Sequence, residues 1–212
     1  MTVSQKFPPE AALNTKERLQ FVLKAEAEAI NSVEVTQDFV TAVDAMHDCK
    51  GKIISTGMGK AGHIANKFAA TLCSTATQAQ FLHPAEAAHG DLGAVSEGDV
   101  LIAFSTSGKS REVIEILEFS RQLGAEKVIG ITSHPDSALR DHADIVIDMG
   151  EIDEACPLGL TPTSSMAVML AISDALALAL MEKKGVTREE YGLRHHGGYL
   201  GRAARLDNLP NS

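Results

Sequence analysis

The sequence predicts an α/β protein, a three-layer αβα sandwich around a five-stranded parallel sheet. From residue 51 onward, short apolar runs alternate with loops and amphipathic stretches, which is the rhythm of βα units. The runs are apolar on both faces, as buried parallel strands are, and the stretches between them are long enough for helical crossovers. A chain of 212 residues can bury a full core as one such domain.

The first 48 residues are predicted to form a helical arm. Asn14 and Glu17 have the capping-box spacing, and apolar residues follow at helical spacing from Leu19 to Ile30. The helical region is expected to continue to Met46, with a break near residues 33–36. Such an arm can pack on the sheet or on another subunit, and we expect residues 1–48 to pack on the domain formed by residues 49–206.

The strands and helices of the main domain follow one another in βα order. The strands are predicted at 52–55, 79–82, 100–104, 127–131 and 145–148. The helices between them are predicted at 63–73, 112–123 and 138–142.

After the sheet, a long apolar helix is predicted to run to Lys184, with Thr163 or Ser164 as its cap and Gly185 ending it. Thr187 and Glu190 are predicted to cap a short helix. A loop rich in histidine and glycine and a polar tail, residues 207–212, are expected to close the chain.

The composition excludes several partners. The formal net charge is −9, from 28 acidic and 19 basic residues, so neither nucleic acid nor an anionic membrane is expected, although a small phosphate ester can be bound locally. Cys49, Cys73 and Cys156 are widely spaced and odd in number, which favours a reducing compartment. The first ten residues lack an apolar signal core, so the chain is expected to be cytoplasmic. The longest apolar stretch, 166–181, is expected to be a buried helix.

A hydroxyl-rich loop follows the third predicted strand. Its hydroxyls, Ser105, Thr106, Ser107 and Ser110, lie immediately before a predicted helix. Hydroxyl donors, free backbone N–H groups and the positive end of the helix dipole together favour a phosphate monoester. The glycine spacing differs from the Walker pattern, which argues against a nucleoside triphosphate. The alternative is an ordinary helix cap, but a cap explains only one or two of the hydroxyls.

Residues 57–62 match the dinucleotide pattern G-x-G-x-x-G and lie between a predicted strand and a predicted helix. In a dinucleotide site, an acidic residue follows about 20 positions later, at the end of the second strand, and binds a ribose. Leu82-His83-Pro84 stands there instead. Dinucleotide binding is therefore the less favoured interpretation.

Acid and base groups follow other elements. His83, Glu86 and His89 lie in one loop whose spacing matches no zinc signature, so His89 is a candidate for a substrate site and a metal is not favoured. Glu154 follows the last strand and is a candidate base, because the carboxyl ends of parallel strands share one ligand-binding edge.

Two further segments are open to more than one interpretation. His195 and His196, before two glycines, can approach a ligand or be merely exposed. Cys156, beside Pro157, lacks the local signature of a nucleophile and is expected to be a structural thiol.

Taken together, these segments resemble the D-arabinose 5-phosphate isomerases of the SIS (sugar isomerase) superfamily. The resemblance is carried by blocks at 57–60, 83–93, 105–108, 154–160 and 162–165, and it extends from the N-terminal helix to Gly201. The blocks HPAEAAHGDLG and EACPLGLTPTSS are specific within the superfamily, whereas Ser-x-Ser-Gly marks only the superfamily.

The resemblance implies the SIS fold and the interconversion of D-ribulose 5-phosphate and D-arabinose 5-phosphate through a cis-enediol. That reaction would feed the synthesis of Kdo, an acidic sugar of lipopolysaccharide. No metal or organic cofactor is expected, and an inhibitory metal at His83 and His89 stays open. The implied catalytic residues are Lys60, His89, Glu112, Glu154 and His195. The implied phosphate ligands are Ser105, Thr106, Ser107 and Ser110, and further substrate-site candidates are Gly59, His83 and Thr163.

The resemblance also implies a homotetramer whose sites are shared between subunits, so that His89 or His195 serves a neighbour's pocket. Many family members continue into a pair of CBS domains, and this chain is expected to be a form that lacks them. Lys109 stands where an acidic residue is common, and His196 replaces the usual proline, so both bear on substrate preference. Two alternatives stay open: an isomerase of a hexulose or heptose phosphate, and a phosphosugar sensor without catalysis. An enzyme is favoured by the acid and base groups at Lys60, Glu112, Glu154 and His195.

Overall fold

A computed structural model of the chain describes residues 13–205, apart from the side chain of Arg205. The five strands are β1 (Ile53–Gly57), β2 (Ala79–Phe81), β3 (Val100–Phe104), β4 (Lys127–Thr132) and β5 (Ile145–Asp148). They form one sheet in the order β2-β1-β3-β4-β5, and each neighbouring pair is parallel. The predicted strands are confirmed, with ends that differ by two residues or fewer.

Helices cover both faces of the sheet. They are α1 (Thr15–Asn31), α2 (Gln37–Asp48), α3 (Gly59–Ser74), α4 (Pro84–Ala87), α5 (Arg111–Gln122), α6 (Leu139–His142), α7 (Ser164–Lys183), α8 (Arg188–Arg194) and α9 (Gly198–Arg205), and a 3₁₀ turn lies at Asp91–Ala94. One core cluster joins one face of the sheet to α2, α3 and α7, and a second joins the other face to α4, α5 and α6. The three-layer αβα sandwich is therefore confirmed.

Local sequence signals explain most helix ends. The chain breaks between α1 and α2 where the spacing predicted it, and both capping boxes, at Asn14 and at Thr187, form. Two expectations are wrong. The Thr163 side chain does not cap α7, because its hydroxyl and N–H both turn to the Glu154 carboxylate. The chain after His195 is not only a loop, because 198–205 forms α9, which packs on α8 and buries Ala204. Residues 1–12 of the arm and 206–212, which include the polar tail, lie outside the described residues.

Helix α7 is apolar around its whole circumference. It packs against α1, α2 and α3, and its inward side chains belong to the core. Leu170 and Leu178 on its outer side are exposed, as are Leu19 and Leu23 of α1. Within the described residues, α7 is long and apolar enough to cross a membrane, but half of its most apolar window is buried inside the protein. That burial is typical of a core helix, as the sequence predicted.

Candidate functional site

The order of the strands marks a crevice at one edge of the sheet. The chain winds in opposite directions on either side of the β1–β3 pair, and ligands of such sheets bind outside the carboxyl ends of the strands at that point. Lys60 follows β1 and lies exposed in the first turn of α3. The hydroxyl loop, residues 105–110, follows β3 and leads directly into α5. The two segments therefore flank the crevice.

The hydroxyl loop is tightly folded. Gly108 N–H donates to Ser105 C=O at 3.0 Å, closing a turn with Thr106 and Ser107 at its tip. The Oγ atoms of Ser105 and Ser110 lie 3.4 Å apart. Ser110 is the N-cap of α5, yet its hydroxyl makes no capping hydrogen bond. The loop thus leads into the start of α5, where the N–H groups of Arg111 and Glu112 have no acceptor within the helix, whereas the Val113 N–H donates to the Ser110 carbonyl.

Glu112 lies in that first turn of α5 and is exposed. Among the hydrogen bonds and ion pairs found between the described residues, its carboxylate has no partner. It therefore differs from the Glu154 carboxylate, which accepts hydrogen bonds from three donors.

The glycine-rich segment at 57–62 has a packing explanation. A Cβ atom on Gly62 would lie 2.5 Å from the Gly57 carbonyl oxygen, and one on Gly57 would lie 2.9 Å from the Phe104 carbonyl oxygen. Only glycine lets α3 begin so close to β1 and β3. These contacts explain why glycine is needed at two of the three glycine positions of the pattern, and the explanation does not involve dinucleotide binding.

Glu154 lies in the long loop between β5 and α7 and is half-buried. Its carboxylate accepts the Thr163 N–H at 2.6 Å, the Thr163 hydroxyl at 3.3 Å and the Ser165 hydroxyl. The carboxylate thus takes over the cap of α7 and is held at the positive end of the helix dipole. Because α3 and α7 begin at the same edge and pack together, Glu154 and Lys60 are placed at neighbouring helix ends.

His83 and His89 also lie at this edge, after β2. His83 is the residue before α4, and its Nδ1 atom is buried without a hydrogen-bond partner among the described residues. His89 is exposed. Within residues 13–205, His, Cys, Asp and Glu form no group of three or more that could hold a metal ion. An inhibitory metal on His83 and His89 stays a prediction.

His195 lies at the opposite end of the protein from the other predicted site residues. It follows α8, and its ring stacks on Tyr191 with the centroids 4.0 Å apart. Tyr191 and Arg194 line shallow surface pockets with residues at the C-terminal end of α3 and just after it. Lys60 is in the first turn of α3, whose 16 residues rise about 24 Å. Lys60 and His195 therefore lie at different ends of one protomer.

Cys156 is not an ordinary buried thiol. It is half-buried in the loop that follows Glu154. A hydrogen bond from the Thr161 hydroxyl, helped by the N–H groups of Leu160, Thr161 and Leu158, lowers the pKa of Cys156 to about 6. Burial instead raises the pKa of Cys49. This lowered pKa favours the thiolate form of Cys156 near neutral pH, a property that the expectation of a structural thiol did not include.

The β4–α6 segment belongs to the same edge and was not predicted. Thr132, Ser133 and His134 come directly after the core of β4 and contact the hydroxyl loop. Ligands of parallel sheets bind at the carboxyl ends of the strands, and these three polar residues lie at such an end, as the other candidate residues do. That signal was present in the sequence.

Comparison with known proteins identifies relatives along most of the chain. The SIS domain family model matches residues 45–179, which is more than half of the chain. Arabinose 5-phosphate isomerase KdsD of Pseudomonas aeruginosa is 41% identical over 202 residues, covering 92% of this chain and 62% of the relative. The enzyme of the same name from Escherichia coli K12 is 45% identical over 187 residues, covering 87% of this chain and 57% of the relative. The chain thus spans about three fifths of the length of these curated relatives.

Solved structures resemble the whole domain. A Bacteroides fragilis protein proposed to be a phosphosugar isomerase involved in capsule formation is 44% identical with a TM-score of 0.83, covering 87% of this chain and 98% of that one. A protein of Escherichia coli CFT073 in complex with arabinose 5-phosphate is 36% identical with a TM-score of 0.82, covering 87% of this chain and 100% of that one.

Proposed function

The chain belongs to the SIS domain family, and from this premise we propose that it interconverts D-ribulose 5-phosphate and D-arabinose 5-phosphate as an aldose–ketose isomerase. The observation that carries the proposal is the identity of 41% and 45% to arabinose 5-phosphate isomerases over most of the chain. The relative solved with arabinose 5-phosphate adds a ligand of the same class on the same fold.

The crevice suits a phosphosugar. The hydroxyls of residues 105–110 and the first N–H groups of α5 supply donors for a phosphate, in spite of the overall negative charge. Lys60 adds a positive charge across the crevice. Gly59, His83 and Thr163 stand at the same edge and are proposed contacts of the sugar.

The reaction moves a proton between C1 and C2 through a cis-enediol, so one base must reach both carbons. We assign this role to Glu154. Its three donors hold the carboxylate in one orientation, which fixes the base before substrate arrives. Lys60 is assigned to the oxygen of the developing enediolate, where a cation lowers the barrier. Glu112 is assigned to positioning Lys60, and His89 to moving hydroxyl protons.

His195 is assigned to the active site of a second copy of the chain. Within one protomer it lies a helix length away from Lys60, so a site that needs His195 is incomplete without a partner. The surface supports such a partner. The exposed apolar side chains of α1 and α7, and an apolar groove of about 470 Å³ lined by α2 and α7, are faces that a second copy would cover. A homotetramer with shared sites is therefore part of the proposal.

The metabolic setting is proposed on the same basis. Arabinose 5-phosphate would be supplied for the synthesis of Kdo, and the enzyme would act in the cytoplasm, where ribulose 5-phosphate is available. No metal or organic cofactor is assigned to the reaction.

The assignment is tested by offering the purified protein ribulose 5-phosphate and arabinose 5-phosphate, and separately a hexulose and a heptose phosphate, and following each by NMR. Conversion of the pentose phosphates alone is the expected result. If the protein converts a hexulose or heptose phosphate faster than the pentose phosphates, that sugar phosphate replaces them as the proposed substrate. Binding of a phosphosugar without any conversion would show a sensor.

The role of Glu154 is tested with Glu154→Gln. Gln keeps an acceptor for the Thr163 N–H, and the Ser165 hydroxyl can accept from the new amide, so the cap of α7 is largely retained. We expect kcat to fall by about 10²–10⁴, the usual contribution of a general base, while binding of arabinose 5-phosphate persists. Glu151→Gln is the matched control, because that carboxylate is exposed in the same loop between β5 and α7 and has no assigned role. Near-normal turnover by Glu154→Gln would remove Glu154 as the base.

A further inference from the structure

One carbonyl of the hydroxyl loop is bonded to an unusual number of donors. The Thr106 carbonyl oxygen accepts the Ser133 N–H at 3.1 Å, the Thr132 hydroxyl at 3.0 Å and the His134 Nδ1–H at 3.0 Å. A carbonyl oxygen is only an acceptor and has two lone pairs, so three donors are more than enough to fix the orientation of the Thr106 C=O group. The bond also requires the proton of the His134 ring to be on Nδ1.

The direction of this carbonyl fixes the direction of the next N–H group. In a trans peptide the C=O of one residue and the N–H of the next point in opposite directions. The three donors belong to the last residue of β4 and the two residues after it, on one side of β3, and the strand on the other side of β3 is β1. The Ser107 N–H is therefore turned away from β4 and toward the β1 side, where the crevice and Lys60 lie.

Two other features keep this peptide from turning over. It is the middle peptide of the Ser105–Gly108 turn, and a flipped orientation would require a positive φ at Ser107. Gly108 itself has a φ of +61°, and a Cβ there would lie 1.8 Å from the Ser137 Oγ. Ser137 is buried, and Leu139 N–H holds the Gly108 carbonyl at 3.0 Å. The β4–α6 segment thus contacts the turn at both Thr106 and Gly108.

We propose that His134 is a positioning residue for phosphate binding: through the Thr106 carbonyl, it holds the Ser107 N–H toward the substrate phosphate. The inference deepens the proposed phosphosugar site and rests on it. His134 is exposed, so it makes no core contact that would explain it otherwise. Its imidazole Nδ1–H donates to the Thr106 carbonyl, which most shorter polar side chains at this position would not reach. Asparagine is the exception, because its amide nitrogen lies near the position of Nδ1.

The test compares His134→Ala with His134→Asn. His134→Ala removes one of three donors, and we expect KM for arabinose 5-phosphate to rise about five-fold, equal to about 1 kcal/mol, with kcat within two-fold of the native value. His134→Asn is expected to restore KM. The double variant Thr132→Val/His134→Ala leaves a single donor and should raise KM further. His47→Ala removes an exposed histidine of α2 that pairs with Asp48 and is the control.

The same variants are titrated with inorganic phosphate, which needs no turnover. If the native protein binds phosphate but converts no sugar, the isomerase assignment fails, and the phosphate affinities still decide the role of His134. A KM and a phosphate affinity unchanged in His134→Ala would overturn the inference. So would a loss confined to kcat, or a failure of asparagine to restore binding.

Discussion

The separation of His195 from Glu154 within one protomer leads to a quantitative prediction about mixed assemblies. The perturbation is a pair of variants, Glu154→Gln and His195→Ala, each of which removes one contribution to every site. Lys60 and Glu154 lie at the starts of neighbouring helices, whereas His195 lies beyond the opposite end of α3, a helix about 24 Å long. In the proposed shared site, each complete site would take Glu154 from one chain and His195 from another.

The expected magnitude follows from counting. When the two variants are mixed in equal amounts and allowed to exchange subunits, the chance that a site receives a native Glu154 is one half, and so is the chance that it receives a native His195. About one quarter of the sites are then fully native, whether the assembly is a dimer or a tetramer. Each variant alone is expected to retain about one hundredth of the activity or less.

The assay is co-refolding of the two chains in equal amounts, followed by measurement of kcat for the whole unfractionated mixture. The matched control is Glu154→Gln mixed with Lys60→Ala. Because both of these residues lie at one end of the same protomer, that mixture should recover no activity. A mixture of the first pair that stays at the level of its parents, while His195→Ala alone is inactive, would refute the shared site.

Two further predictions concern the stability of the protein and its thiols. Asp99 is buried and accepts hydrogen bonds from three N–H donors. Asp99→Asn should therefore lower the free energy of unfolding, measured in urea, by about 3–5 kcal/mol, whereas Asp44→Asn, at a surface ion pair, should lower it by less than about 1 kcal/mol. Equal losses of stability in the two variants would contradict the reasoning. Because the pKa of Cys156 is lowered to about 6, its alkylation by iodoacetamide in a Cys73→Ser background should rise between pH 5 and 7 and then level off. Cys49, whose pKa is raised, should react only at higher pH, and a Cys156 rate that still climbs above pH 8 would show an ordinary thiol.

The fold was largely predictable because its signals are local. Apolar runs, capping boxes at Asn14 and Thr187, and Gly185 after α7 each depend on a few adjacent residues. Parallel strands also bring their carboxyl ends to one edge, so the order of strands and helices along the chain is enough to place Lys60 and the hydroxyl loop together.

The remaining features depend on contacts between distant segments. Thr163 has the composition of a helix cap, but Glu154, nine residues earlier, competes for its hydroxyl and its N–H. The position of His195 depends on the direction of α7, which carries the chain to the other end of the sheet. Composition also cannot show that Cys156 lies within hydrogen-bond reach of Thr161.

Helix α7 connects the two ends of the protomer. Its 20 residues rise about 30 Å, with Glu154 bonded to its first turn and α8 and His195 following its last. In an assembly with shared sites, this helix fixes the spacing from one active site to the next. Inserting a single residue would rotate everything after it by about 100°, so the length of α7 is constrained by the geometry of the assembly as well as by the core of one protomer.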